Sequence, residues 1–269
     1  MITLLVLALV FAKFVKGKAQ ELGEGATVLY EELSNAESQV NLPSVQAMQA
    51  ARDFLEEGNY SKAREKLLFI VNFYSDVPFA KDARRILGAM NMDHLMNPSS
   101  PKYKESYQIK SGDSLSKIAK RYDTTVENIM AVNGLKYSNR IQPGQEIKIV
   151  RMDFRILVDV QKKIITVFKG DQFLNEYPIL DTLISSRKKV ITTSIDRILG
   201  FNRTSTYQRG SSKYYSSQKM IILRVGDLQI RPVKHPDESD PGAGFFINKN
   251  DMEEIALFMK SGTQVEIQL

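Results

Sequence analysis

The chain has 269 residues, 43% of them hydrophobic and 25% charged, with a net charge of +6. That leaves room for two or three small domains and permits polyanionic partners without choosing among them. Cysteine is absent and the histidines are His94 and His235, which excludes disulfides, thiolate metal sites, a lipid-modified cysteine and a cysteine nucleophile, and makes a histidine metal centre hard to build. No cofactor is expected. Without an arginine-rich helix or an aromatic RNA-binding motif, no nucleic acid is expected either.

In chain order, residues 2–12 (ITLLVLALVFA) form an apolar run, with Lys13, Lys16 and Lys18 after it rather than before it. A signal peptide carries its basic residues first, and a span needs about 20 residues. The expectation is an uncleaved export anchor over residues 1–18, or one whose start lies upstream of Met1; a buried helix is the alternative. The membrane is then a partner, and the location is the cell envelope, anchored to the cytoplasmic membrane. Residues 19–40 read as a polar helix.

Over residues 43–96, apolar residues recur at helical spacing in three runs: Ala47, Ala51 and Leu55, then Ala63, Leu67, Ile70 and Tyr74, then Ala80, Ala83 and Leu87. Gly58 supplies a tight connection. The run Gly58-Asn59-Tyr60-x-x-Ala63, with Pro78 and Ala80 after the second helix, resembles a tetratricopeptide repeat. The resemblance implies a surface for an envelope protein partner over residues 43–96, although such units stack in threes or more. Residues 97–105, with Asn97-Pro98-Ser99-Ser100-Pro101, read as a linker. His94 beside it reads as a surface histidine rather than a ligand.

Residues 106–150 read as strand, helix, helix, strand. Tyr107 and Ile109 alternate up to the Ser111-Gly112-Asp113 turn. Ser114 and Thr125 are placed to cap helices whose apolar faces are Leu115, Ile118, Ala119 and Tyr122, then Val126, Ile129, Met130 and Val132. Asn133-Gly134 ends the second helix, since both residues tolerate a left-handed backbone. Pro143-Gly144 turns the chain into the strand 146–150.

Tyr107-x-Ile-Lys-Ser-Gly-Asp-Ser-Leu115, Asn133-Gly134-Leu135 and Ile141-x-Pro-Gly-Gln145 together resemble the LysM module, a binder of N-acetylglucosamine-containing glycans of peptidoglycan and chitin. The resemblance implies a shallow groove with Gly112, Asp113, Ser114 and Leu115 on one side and Ile141, Gln142, Pro143 and Gly144 on the other. Backbone groups there would bond acetamido and hydroxyl groups, while Leu115 and Ile141 would offer apolar contact.

From residue 154 strand patterns dominate: 154–160, 164–169, 173–179, 220–225, 228–231 and 244–247, then a helix over 249–259 and a closing strand over 263–268. The fold class is therefore multidomain α+β: a helical hairpin segment, a βααβ module and a mainly-β domain. Val158-Asp159-Val160, Ile164 to Gly170, Tyr177-Pro178-Ile179 and Asn250-Asp251 through Gly262-Thr263-x-Val265 resemble the YkuD, or L,D-transpeptidase, domain over 154–269. Active members use a Ser-His-Gly-Cys-x-Arg motif. Counting back from Asn250-Asp251, Gly244 stands at the cysteine, Gly242 at the histidine and Phe246 at the arginine, while Arg231-Pro232 replaces the upstream His-Gly. The resemblance therefore implies a degenerate, non-catalytic domain.

The leading expectation is a noncatalytic peptidoglycan-binding envelope protein. Two others stay open. One is an enzyme with an atypical site, drawn from Ser211, Ser212, Ser216 and Ser217 with His235, Asp237, Glu238 and Asp240; Arg203, Arg209 and Lys213 could meet an anionic peptide stem. The other is a scaffold acting through the helical segment.

Overall fold

The computed structural model describes residues 42–136, 140–184, 189–202, 205–226, 228–233 and 242–269. The chain divides into two compact units, with the boundary between Ala83 and Arg84.

In the first unit, helices α1 (Leu42–Glu56) and α2 (Tyr60–Phe73) form a hairpin. Gly58 makes the turn at φ +73°, and Asn59 caps α2 by accepting from Lys62 N. Ala47 and Ala51 on α1, with Ala63, Leu67 and Ile70 on α2, are buried; small residues on facing helices let the backbones approach.

Helix α3 (Ala80–Met96) crosses the boundary, and from Arg84 onward it belongs to the second unit. There Arg84 Nε bonds Glu176 Oε2 at 2.8 Å, and Asn91 Nδ2 donates to the carbonyls of Phe173 and Leu174. Met92 and Leu95 enter the core of the β-domain. A third tetratricopeptide helix would stack on the hairpin along its length; here most of α3 is committed to a sheet. The helices expected over residues 43–96 are present, but a tetratricopeptide identity finds no support. Gly88 permits the close approach, since a Cβ there would lie 2.0 Å from Asn175 Oδ1.

The composition of 97–105 suggests an open linker, yet Lys104 Nζ gathers it into a turn. The ammonium donates to the carbonyls of His94 (2.5 Å), Asn97 (2.8 Å) and Ser100 (3.2 Å), satisfying groups that a helix end leaves open. Burial lowers the Lys104 pKa. His94 is half-buried, with Nδ1 3.1 Å from Ser100 Oγ.

The βααβ module follows: β1 (Glu105–Gln108), α4 (Leu115–Arg121), α5 (Val126–Val132) and β2 (Glu146–Ile149). Its strands pair antiparallel with Tyr107 opposite Ile147. Ser114 and Thr125 cap the helices through Lys117 N and Asn128 N, and Ile109, Leu115, Ile118, Ile129, Ile147 and Ile149 fill the core.

The remaining elements are β3 (Phe154–Asp159), β4 (Ile164–Lys169), β5 (Gln172–Pro178), β6 (Asp181–Leu183), β7 (Val190–Phe201), β8 (Thr206–Gln208), α6 (Ser212–Ser216), β9 (Gln218–Leu223), β10 (Gln229–Pro232), β11 (Gly244–Ile247), α7 (Lys249–Phe258) and β12 (Gln264–Gln268). The strands run β5-β4-β3-β12-β7-β9-β10-β11-β6, with β8 beside β7. The two outermost strands of that order, β5 and β6, are joined only by Ile179 and Leu180, so the sheet must curl until its edges meet. β7 makes the bend. Its residues 190–194 pair with β12, its residues 195–201 pair with β9, and a bulge sits between Ile195 and Arg197. Strands that pass from one layer to another commonly do so through a bulge.

The expected anchor over residues 1–18 and the polar helix after it lie outside the described residues. Among the described residues no helix is long and apolar enough to cross a membrane. The apolar run itself spans only residues 2–12 before Lys13, short of the about 20 residues that a bilayer core demands. The expectations of a membrane anchor, of the membrane as a partner and of anchoring to the cytoplasmic membrane therefore find no spanning helix among the described residues and are not carried further.

Candidate functional site

Both segments expected to flank the glycan groove converge on Ile109. Its N–H donates to Gln145 O and its carbonyl accepts from Gly144 N, each at 2.8 Å. The next residue, Lys110, opens the turn that carries Gly112 to Leu115. Residues 112–115 and 141–144 are thus neighbours through one strand end.

Their side chains divide the work unevenly. Gly112, Gln142, Pro143 and Gly144 are exposed, and Ile141 is half-buried against the module core. Leu115 is 1% exposed and belongs to that core, so what it can offer a ligand is backbone. Ser114 Oγ is occupied as the helix cap. Gly112 O accepts from Lys117 Nζ at 2.9 Å, and Gln142 N donates to Gln145 Oε1 at 3.1 Å.

Asp113 holds the turn itself. Its Oδ2 accepts from Tyr107 Oη at 2.6 Å and from Lys110 N at 2.9 Å. Arg121 donates to the same phenol at 2.8 Å and lies 3.9 Å from Asp113 Oδ1. The Tyr107 hydroxyl, then the Lys110 amide, hold the Asp113 carboxyl below the usual carboxylate range, while the bond to Asp113 raises the Tyr107 phenol. A carboxylate with a lowered folded pKa stabilises fully above its unfolded value, about 4, and that contribution is lost as pH falls through the folded value. Asp113→Asn should therefore flatten the acid side of the melting-temperature profile measured against pH. Coincident acid limbs for wild type and variant would show that the charge is idle. Nothing in the local sequence pattern marks this Tyr107–Asp113–Arg121 set, because its members come from a strand, a turn and a helix.

The four positions expected to be degenerate catalytic ones, Arg231, Gly242, Gly244 and Phe246, gather at the parallel pair β10–β11, where Gln229 faces Gly244 and Arg231 faces Phe246. Arg231 is buried, its guanidinium 4.6 Å from the Phe201 ring centroid. Phe246 is buried in strand β11. A Cβ on Gly242 would lie 2.7 Å from Gln229 Nε2, and one on Gly244 only 2.1 Å from the Gln229 carbonyl oxygen. The position expected for the nucleophile thus has no space for a side chain of any kind. With no cysteine anywhere in the chain, transpeptidation through a thiolate is closed to it.

The serine alternative gains nothing. Ser211 Oγ donates to Gln208 O, Ser216 Oγ to Lys213 O and Ser217 Oγ to Tyr214 O, so each hydroxyl serves the local backbone. His235, Asp237, Glu238, Asp240 and Arg203 lie outside the described residues. Arg209 sits in the turn after β8, but its guanidinium is engaged, donating to the carbonyls of Met259 (2.8 Å) and Ala256 (2.5 Å) at the end of α7. Lys213 Nζ stands 5.6 Å from the Tyr207 ring centroid. Among the described residues no group of three or more His, Cys, Asp or Glu side chains converges as metal ligands would.

The βααβ module is docked on the β-domain. Asn128 Nδ2 reaches Leu257 O, Met152 N reaches Asp123 O, Lys260 pairs with Asp123, and Tyr215 Oη donates to Glu127 Oε1 at 3.2 Å. Val132 and Val150 of the module share the β-domain core. Burial and then Glu127 raise the Tyr215 pKa, so this phenol stays protonated as a donor at neutral pH.

Residues 107–150 match the family model described as LysM domain. The N-acetylmuramoyl-L-alanine amidase sle1 of Staphylococcus saprophyticus is 37% identical over 90 residues, 34% of this chain and 26% of that protein. The sle1 amidase of Staphylococcus aureus strain USA300 is 35% identical over 94 residues, 34% of this chain and 27% of that protein. The chain thus spans about a quarter of the length of these relatives. Among solved structures, the C442S mutant of an Enterococcus faecium L,D-transpeptidase is similar at 12% identity and a TM-score of 0.29, over 43% of this chain and 49% of that one. L,D-transpeptidase 1 of Mycobacterium tuberculosis is similar at 10% identity and a TM-score of 0.29, over 46% and 67%.

Proposed function

We propose that this chain is a noncatalytic peptidoglycan-binding protein that holds N-acetylglucosamine-containing glycan in the groove between residues 112–115 and 141–144. The observation that carries the reading is the convergence of those two segments on Ile109 within a stretch that matches the LysM domain. Exposed backbone at Gly112, Gln142, Pro143 and Gly144 suits acetamido and hydroxyl groups of a neutral sugar, and the half-buried Ile141 supplies an apolar edge. N-acetylmuramoyl-L-alanine amidases are similar to about a third of this chain, which supports a wall ligand. The mainly-β domain is a degenerate L,D-transpeptidase-like domain that keeps the sheet and has lost the chemistry. Its residues 154–269 act as the platform on which the glycan-binding module is mounted.

The test is co-sedimentation of the full chain with purified peptidoglycan sacculi, with soluble N-acetylglucosamine oligomers as competitor. Pelleting that the oligomers reverse is the expected result. A chain that stays in the supernatant, or one that pellets regardless of the oligomers, would sink this reading.

A further inference from the structure

A cavity of about 300 Å³ lies at the seam between the LysM domain and the β-domain. Met130 and Leu135 wall it on the module side, and Tyr215 and the α7 residue Leu257 wall it on the other. Two acids and two bases also line it, and they are matched to each other. Arg209 Nε stands 3.8 Å from Glu127 Oε2, and Lys219 Nζ stands 3.2 Å from Glu253 Oε2. A charged ligand would leave one of these groups uncompensated in a partly buried place, whereas a neutral polar ligand would not. The volume is at the small end of ligand sites, too small for a folded segment. Arg209 Nε is buried and makes no hydrogen bond, which leaves one donor for a ligand oxygen. Tyr215 is 51% exposed, so its ring can serve as a stacking face. Met130 and Leu135 pack on the same module core as the groove residue Ile141, so the cavity and the glycan groove are built on one small domain.

From this we infer that the seam cavity is a second sugar subsite, taking a further pyranose ring of the glycan strand already held in the groove. The subsite rests on the glycan-binding reading given above and exists only where the two domains are docked. Tyr215 stacks on the carbohydrate C–H face, as aromatic rings with one polar end do at wet interfaces. Glu127 and Arg209 bond the hydroxyl and acetamido groups.

The test is calorimetric titration of the full chain with β-1,4-linked N-acetylglucosamine oligomers, some short enough to fill the groove alone and some long enough to reach the seam. Wild type should bind the long oligomers more tightly than the short ones. Tyr215→Ala should weaken long-oligomer binding by about tenfold, the scale of one aromatic contact, and leave short-oligomer binding unchanged. Tyr215→Phe keeps the ring while removing the bond to Glu127, and should bind both as wild type does. Equal weakening by Tyr215→Ala and Tyr215→Phe would trace the effect to domain docking and overturn the subsite. So would affinity that does not depend on length, or equal weakening of short and long oligomers. Wild type that binds no oligomer would overturn the groove itself along with the seam.

Discussion

Asn133→Ala will destabilise the LysM domain by about 2–4 kcal/mol, the cost of stranding several polar groups inside a packed structure. One side-chain amide ties the end of α5 to the middle of β2. Its Nδ2 donates to Ile129 O at 2.8 Å and to Lys148 O at 2.7 Å, and its Oδ1 accepts from Lys148 N at 2.7 Å. Alanine leaves two carbonyls and an amide without these partners at a position only half open to water. Chemical denaturation followed through the module's tyrosines measures the loss, with Asn133→Asp as companion because it keeps one acceptor and removes both donors. Alanine should cost more than aspartate. A loss below about 1 kcal/mol, the net worth of a single ordinary hydrogen bond, would mean that water restores all three partners and that the amide is no staple.

Gly244→Cys, which places a cysteine at the position expected for a nucleophile, will yield a chain destabilised by about 3 kcal/mol or more and devoid of transpeptidase activity. The added Cβ would meet the Gln229 carbonyl oxygen at 2.1 Å, the Gln229 carbonyl carbon at 2.8 Å and the Gln229 amide nitrogen at 2.8 Å. These are backbone atoms of the neighbouring parallel strand, so no rotamer relieves the contact and β10 must move. Small-to-large changes in tight places cost about 1–3 kcal/mol when side chains can give, and more when they cannot. Thermal unfolding and a muropeptide cross-linking assay on the purified variant check the two halves of the statement. A cysteine variant as stable as wild type would show that β10 yields to the added Cβ at little cost. Cross-linking by that variant would show that strand β11 lacks only a nucleophile.

The LysM stretch was legible because its signals are local. Caps at Ser114 and Thr125, helical spacing between them and the glycine at the Pro143 turn each act within a few residues, and each appears where the spacing puts it. The same holds for strand β11 and for the helix that follows it. Asn133 shows the limit of such reading. It was expected to share a left-handed cap with Gly134, but its φ is −104° and only Gly134 is left-handed; its value lies in bonds to a strand fifteen residues away. Strand β7 went unseen for a different reason. Its period-two alternation is broken by the bulge between Ile195 and Arg197, so neither half presents a long regular pattern. The apposition of Gly244 to Gln229 and the seam built by Glu127, Arg209 and Tyr215 depend on residues far apart in sequence, where no spacing rule operates.

The place of β12 has a consequence for how the chain is made. This strand lies between β3 and β7, with Arg155 and Ser194 both in register with Gln264. A chain emerging from the ribosome can therefore assemble β3-β4-β5 on one side and β7-β9-β10 on the other, but the partner that joins them does not exist until residue 268 has been translated. Closing so long a loop is slow compared with forming hairpins. During that interval the facing edges of both half-sheets are open to strands of other chains. The β-domain thus closes only once β12 has been made, and nascent chains stalled anywhere before Gln264 should be the ones that cells find hardest to keep soluble.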